Sequence, residues 1–298
     1  MPLAMLQSSN LKGILLTTTG ILILSPDALL LRLIGADIWT LLFWRGLLCT
    51  IGMVGITLFL DRPHGLRRLI AIGRPELLVI VVNACMHVLF VFAILNTTVA
   101  NVLVIMSISP LLGATLSRFV LGEPVAKRTW YTTVVVFIGL ALIFSQSLGD
   151  GTLVGDLSAL VVAIFLAGNF VLLRRYRKVS IIPAVAWSMA VTAVITWFLA
   201  TPTSLDGTAW VYVLLLGLVI LPVSSAMITL GPRYLPAPEV GLIMLLETLL
   251  GPLWVWLVIR EVPSSETLIG GAMILAALTW MSIAAIRESQ RVIQKIPK

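Results

Sequence analysis

The chain alternates long apolar runs with short gaps, and its basic residues collect in every second gap. A run of about 20 apolar residues crosses a hydrocarbon layer about 30 Å thick when helical. Ten such runs fit in the 298 residues: Gly13 to Leu33, Ile38 to Leu60, Pro75 to Leu95, Thr98 to Arg118, Thr129 to Ser147, Leu153 to Arg174, Ile181 to Thr201, Ala209 to Leu230, Pro238 to Val258 and Thr267 to Ile286. The fold class expected is an all-α membrane protein of ten transmembrane helices, with short loops and a short basic tail. Chemistry in such a chain must take place inside the bundle.

Charge sets the orientation. Lys and Arg near helix ends are retained on the cytoplasmic side. With the N-terminus inside, all but three of the 20 basic residues fall in cytoplasmic segments. The exceptions are Arg32 and Arg260 at the far side and Arg45 within a span, while the far loops carry Asp37, Asp150 and Asp206. Both termini are therefore expected in the cytoplasm. The N-terminal MPLAMLQSSNLKG has neither a compact basic region nor a small-residue cleavage site, so no removable signal peptide is expected.

Only 11% of residues are charged and 59% are hydrophobic, far from a soluble domain. The net charge of +7 belongs to the bilayer, because no basic patch with interleaved aromatics suggests nucleic acid. Cys49 and Cys85 lie in apolar runs and read as small apolar residues. No nucleotide-binding glycine loop, metal-ligand spacing or Ser/His/Asp set is visible, so neither an enzyme, a cofactor nor a metal is expected. No loop is long enough for an ATP-driven motor.

The chain repeats itself. Thr98 to Glu123 reads TVANVLVIMSISPLLGATLSRFVLGE, and 138 residues later Pro236 to Glu261 reads PAPEVGLIMLLETLLGPLWVWLVIRE. Leu111-Leu112-Gly113 matches Leu249-Leu250-Gly251, and Glu123 matches Glu261. Ser25 to Arg32 resembles Ala167 to Arg174, which pairs Asp27 with Asn169. The repeats expected are residues 1–148 and 149–298. Five helices is an odd number, so the second repeat is inverted, as in many secondary transporters with midplane sites.

Ionisable groups at bilayer depth are functional candidates. Asp27 and Arg45 lie roughly 9 and 10 Å from the far ends of adjacent helices, which makes them a candidate pair. Two readings stand, a structural clamp and an outer gate or site for a zwitterionic substrate. Glu247 lies roughly 13 Å into its span, near the midplane, as a candidate carboxylate for a substrate ammonium or a coupling proton. Asn83 and His87 share a helix face at a spacing of four. With Asn101, Asn169 and Ser225 they complete the expected substrate-binding set, and each also has a plain helix-packing reading. Pro26, Pro110, Pro222 and Pro252 interrupt apolar runs and free backbone carbonyls. Trp130, Trp210 and Trp280 read as interfacial belt residues.

Leu121-Gly122-Glu123-Pro124, Ser109-Pro110-Leu111-Leu112, Phe43-Trp44-Arg45-Gly46 and the region around Glu247 together resemble the drug/metabolite transporter superfamily, in its ten-span members with two EamA-type domains. The likeness covers nearly the whole chain, and among relatives the aromatic amino acid exporters look most similar. Glu247-Thr248 departs from the Glu-Pro common in the family. The resemblance implies a basket-shaped bundle around a central cavity. It points to a secondary transporter exporting amino acids or related metabolites by alternating access at the bacterial inner membrane. A monomer is expected, in contact with a small-molecule substrate and the lipid bilayer, with the proton as candidate coupling ion. Rival readings are an importer of a vitamin or nucleotide-derived compound, and a non-transporting scaffold subunit.

Overall fold

In hydrocarbon every backbone N–H and C=O must be satisfied within the protein, so an apolar chain of this kind resolves into helices. The computed structural model describes residues 3–60, 64–70, 72–122, 127–150, 152–176, 181–230, 234 and 237–294, and among these there is no strand. The first-half helices are α1 (Leu3–Leu24), α2 (Asp27–Ile34), α3 (Ile38–Leu60), α4 (Gly65–Ile70), α5 (Arg74–Asn96), α6 (Val99–Met106), α7 (Ser109–Leu121) and α8 (Lys127–Asp150). The second half has α9 (Leu153–Arg175), α10 (Ile181–Trp197), α11 (Gly207–Leu214), a π-helical turn (Leu215–Ile220), α12 (Leu221–Leu230), α13 (Ala237–Ile259) and α14 (Ser265–Gln294).

Among the described residues, seven stretches are long and apolar enough to cross a membrane: Leu11–Ile34, Ile38–Leu60, Arg74–Asn96, Val99–Val120, Thr129–Gln146, Gly207–Leu230 and Ser265–Ala284. Three shorter apolar stretches, Leu153–Asn169, Ile182–Trp197 and Ile243–Ile259, lie in α9, α10 and α13. Large apolar side chains face outward, Phe119, Phe137 and Phe198 among them, as a lipid-facing surface requires.

The breaks have local causes. Pro26 has no N–H to continue the ladder, and α1 stops just before it. α6 ends at Met106, and Pro110 sits in the first turn of α7, where its missing donor is harmless. The π-helical turn runs up to Leu221-Pro222. Pro252 departs from expectation, since α13 continues through it from Ala237 to Ile259.

The halves interlock. α1 packs on α12, α3 on α10, α5 on α9, α6 on α13 and α8 on α14. Small residues let the helices approach: a Cβ on Gly139 would stand 2.9 Å from the Gly270 carbonyl oxygen, and a Cβ on Gly46 2.7 Å from that of Met189. Gly122 and Arg260, 138 residues apart and paired in the expected repeat, both adopt left-handed backbone, at φ 70° and 64°. Each follows the last residue of its helix. The Glu123-Pro124 motif and the basic residues Arg62, Arg177, Lys178, Arg233, Lys295 and Lys298 lie outside the described residues.

Candidate functional site

The break at Pro26 places Asp27 at the head of α2, deep in the bundle. Arg45 comes from the middle of α3, and its Nη2 donates to Asp27 Oδ2 at 2.7 Å. Both side chains are 6% exposed. The guanidinium carbon lies 5.3 Å from the centre of the Phe90 ring of α5, a cation–π distance. Glu247 of α13 is half-buried and within electrostatic reach of both Asp27 and Arg45. His87, one turn before Phe90 on α5, is within reach of Arg45. Four elements thus deliver an arginine, two carboxylates and an imidazole to one region.

This cluster is incomplete. Asp27 Oδ1, Arg45 Nε and Nη1, and His87 Nε2 are buried and find no hydrogen-bond partner among the described residues. Buried polar atoms are nearly always bonded, and an unmade bond at a buried charge is expensive. Orphaned donors and acceptors side by side match a ligand carrying both an anionic and a cationic group. Towards the Gly35–Asp37 turn, Arg45 also borders a recess lined by Leu31, Ile34, Leu41, Val213 and Leu216. These five apolar residues are themselves buried.

The remaining candidates separate. Asn83 donates to the Val79 carbonyl at 2.8 Å and to Asn169 Oδ1 at 3.1 Å, and Asn169 donates back to Asn83 Oδ1 at 3.4 Å. The two amides clasp α5 to α9, which is the helix-packing alternative of the sequence reading. Asn101 also turns to the protein: its Nδ2 donates to both carboxylate oxygens of Asp156, at 3.2 and 3.1 Å, and its Oδ1 accepts from Thr267. Ser225 lies half-buried on α12.

A second polar system occupies the end of the bundle that carries Asp37. Arg32 pairs with Glu261 at 3.4 Å and donates to the Thr97 carbonyl at 2.7 Å. Glu261 Oε1 accepts from the Val99 N–H at 2.8 Å, and Thr97 donates to Asp156 at 2.6 Å. Ser264 donates to Gln146 at 2.6 Å. Asp37 Oδ1 accepts from the Trp39 and Thr40 N–H groups, both at 3.0 Å, and Oδ2 from Thr201 Oγ1 at 3.3 Å. Slight burial pushes the Asp37 carboxyl up, but the bonds from Thr40, Trp39 and Thr201 outweigh it and hold the group below its ordinary value.

Sequence reasoning missed Glu261, Asp156 and the indoles as members of polar networks. Asp156 lies in the first turn of α9 and was open to reading as a helix-start acid. Three tryptophans tie distant segments together through their indole N–H groups. Trp44 Nε1 donates to the Pro202 carbonyl, Trp187 Nε1 to that of Leu69 and Trp254 Nε1 to Ser25 Oγ. Trp210, expected in the interfacial belt, stacks edge-on against Trp44 with ring centres 4.7 Å apart.

A broken-helix bundle with a buried, unsaturated charge cluster is the architecture of a membrane carrier. The chain belongs to the EamA-like transporter family, which matches residues 11–145 and 153–283. It is similar to the Pseudopaline exporter CntI of Pseudomonas aeruginosa (strain UCBPP-PA14), with 26% identity over 218 residues, or 70% of this chain and 75% of that protein. A solved crystal structure shares the fold over 93% of this chain and 98% of its own, with a TM-score of 0.66 at 23% identity. The chain is thus an integral membrane transporter of this family.

Proposed function

We propose that the protein exports small zwitterionic metabolites, amino acids or close relatives of them, across the bacterial inner membrane. The observation that carries this reading is the orphaned polarity around Asp27 and Arg45. A substrate carboxylate would take the Nε and Nη1 donors of Arg45, and a substrate ammonium would take Asp27 Oδ1 and Glu247, with His87 beside them. Such a ligand satisfies the orphaned atoms of Asp27 and Arg45, and a neutral or purely anionic one does not. The match to an exporter favours outward movement over import.

In this reading the ten apolar runs all cross the membrane, as two inverted repeats with both termini cytoplasmic. Support comes from the equivalent left-handed caps at Gly122 and Arg260 and from the packing of α1 on α12 and α5 on α9, which an exchange of halves interconverts. The Asp37 end is then extracytoplasmic. Its dense bonding and the buried Leu31, Leu41 and Leu216 describe a carrier closed on that side. Export follows when one repeat rocks against the other and opens that end. Glu247 is the candidate proton carrier, and the unit is a monomer.

The test is flux from liposomes loaded with radiolabelled amino acids, comparing the parent with Glu247→Gln. Glu247→Gln keeps the shape and removes the charge. Folded yield should stay near that of the parent while flux falls at least tenfold. Normal flux at every pH in a well-folded Glu247→Gln protein removes Glu247 from the mechanism. A parent that releases none of the labelled compounds removes the substrate class.

A further inference from the structure

The first-half helix break is held by a residue of the second half. In a continuous helix the Leu22 carbonyl would accept from the N–H four residues on, but that residue is Pro26, which has none. Ser25 repairs the gap, since its Oγ donates to the Leu22 carbonyl at 2.9 Å. The same oxygen accepts from Trp254 Nε1 at 2.9 Å. A serine hydroxyl has one proton, and here it goes to Leu22, so the indole N–H fixes the lone pair and with it the rotamer. Ser25 is 3% exposed, and the next residue but one is Asp27.

Trp254 is well placed to matter beyond this bond. Glu247, Gly251 and Trp254 recur at intervals of four and three along α13 and share one face. That face runs along the break: a Cβ on Gly251 would lie 3.9 Å from the Ser25 carbonyl oxygen and would collide with Leu103. One helix therefore carries both the second carboxylate of the cluster and the clamp on the first.

We propose that Trp254 is a positioning residue: by fixing the Ser25 hydroxyl that closes the break between α1 and α2, it sets Asp27 against Arg45 and Glu247. Its bearing on transport rests on the function proposed above, but its effect on the break does not. Any shift of α13 that moves Glu247 also moves the clamp on Asp27, so the two carboxylates respond together.

Hydrogen–deuterium exchange of the protein in lipid nanodiscs tests the clamp without a substrate. Trp254→Phe keeps the ring and removes the donor. Ser25→Ala breaks the same bond from the other side and serves if Trp254→Phe lowers the yield. Trp254→Phe should speed exchange in the Asp27–Ile34 segment about tenfold, the factor expected when a local opening equilibrium loses one ordinary hydrogen bond, and Ser25→Ala, which also loses the bond to Leu22, should do so at least as much. The double variant should go no further than Ser25→Ala, and Trp256→Phe, two residues along and off that face, should match the parent. Parent-like exchange in Trp254→Phe, or additive effects in the double variant, overturns the proposal. In liposomes loaded with an equimolar mixture of radiolabelled amino acids, Trp254→Phe should raise the apparent KM about tenfold and leave the maximal rate within about twofold, as expected for misplaced binding groups. An unchanged KM in a transporting protein also overturns it. Faster exchange together with a parent that moves no amino acid keeps the clamp and rejects the substrate class instead.

Discussion

Two arginine–carboxylate pairs use the same short helix, α2, and they are built on opposite principles. Asp27 and Arg45 meet at 2.7 Å with 6% exposure on each side, both from the first half of the chain, and leave three of their polar atoms without a partner among the described residues. Arg32 and Glu261 meet at 3.4 Å with exposures of 25% and 23%, and they join the two halves. Each of the latter has a further backbone partner, the Thr97 carbonyl and the Val99 N–H, and Arg32 Nε alone is left over. A buried pair stabilises only when its remaining atoms are also satisfied. The central pair fails that condition and the end pair nearly meets it, which is why the proposed binding role is given to the first and a helix-joining role to the second.

The sharpest way to break this contrast is to cut the central pair. Asp27→Asn or Arg45→Gln alone strands a buried charge and should destabilise by about 3–5 kcal/mol, while the double change should cost clearly less than the sum. Thermal unfolding in detergent reads this, and additive losses would show two independent residues. At the other end, Arg32→Gln and Glu261→Gln should each lower stability by only about 1 kcal/mol, because partial exposure screens the pair. A loss as large as at Arg45 would erase the distinction between the two pairs. Next to Glu261, Arg260 holds a left-handed conformation that glycine adopts freely, as Gly122 does at the equivalent cap. Arg260→Gly should raise stability by about 1 kcal/mol and leave flux unchanged. The smallest effect concerns Asp37, whose carboxyl is held below its ordinary value. Its bonds add stability at a pH above the unfolded carboxylate value of about 4, and that increment is lost as the pH falls through the lowered folded value. The unfolding temperature of the parent should therefore drop slightly more on acidification than that of Asp37→Asn.

Much of this was legible in the chain because it is local. Apolar runs marked the helices, and Pro26, Pro110 and Pro222 marked breaks or distortions, since a missing N–H acts where it stands. Pro252 did not break α13, and nothing in its immediate sequence distinguishes it from the others. Asp27 and Arg45 were readable as a pair because equal depth on consecutive helices is a one-dimensional fact. The Asn83–Asn169 clasp was not, since its partners lie 86 residues apart and each alone resembles a cavity-lining amide. Glu261 and Asp156 stayed hidden for a related reason: near the end of an apolar run an acid is unremarkable, and only packing between halves gives it a partner. The tie between Trp254 and Ser25 was hidden likewise, since the two residues lie 229 apart in the chain.

The interlocking of the halves has a consequence for how the chain is made. A ribosome delivers the N-terminal half first, yet α1, α3, α5 and α8 find their principal neighbours in α12, α10, α9 and α14. Until those arrive, Asn83 and Asn101 sit in the bilayer without Asn169 and Asp156, and Arg32 without Glu261. The early helices then wait with most of their final neighbours missing, the Asp27–Arg45 pair being among the contacts the first half can make alone. A charge placed on the α5 face that packs on α9 should therefore lower the yield of the protein as well as the stability of the finished bundle.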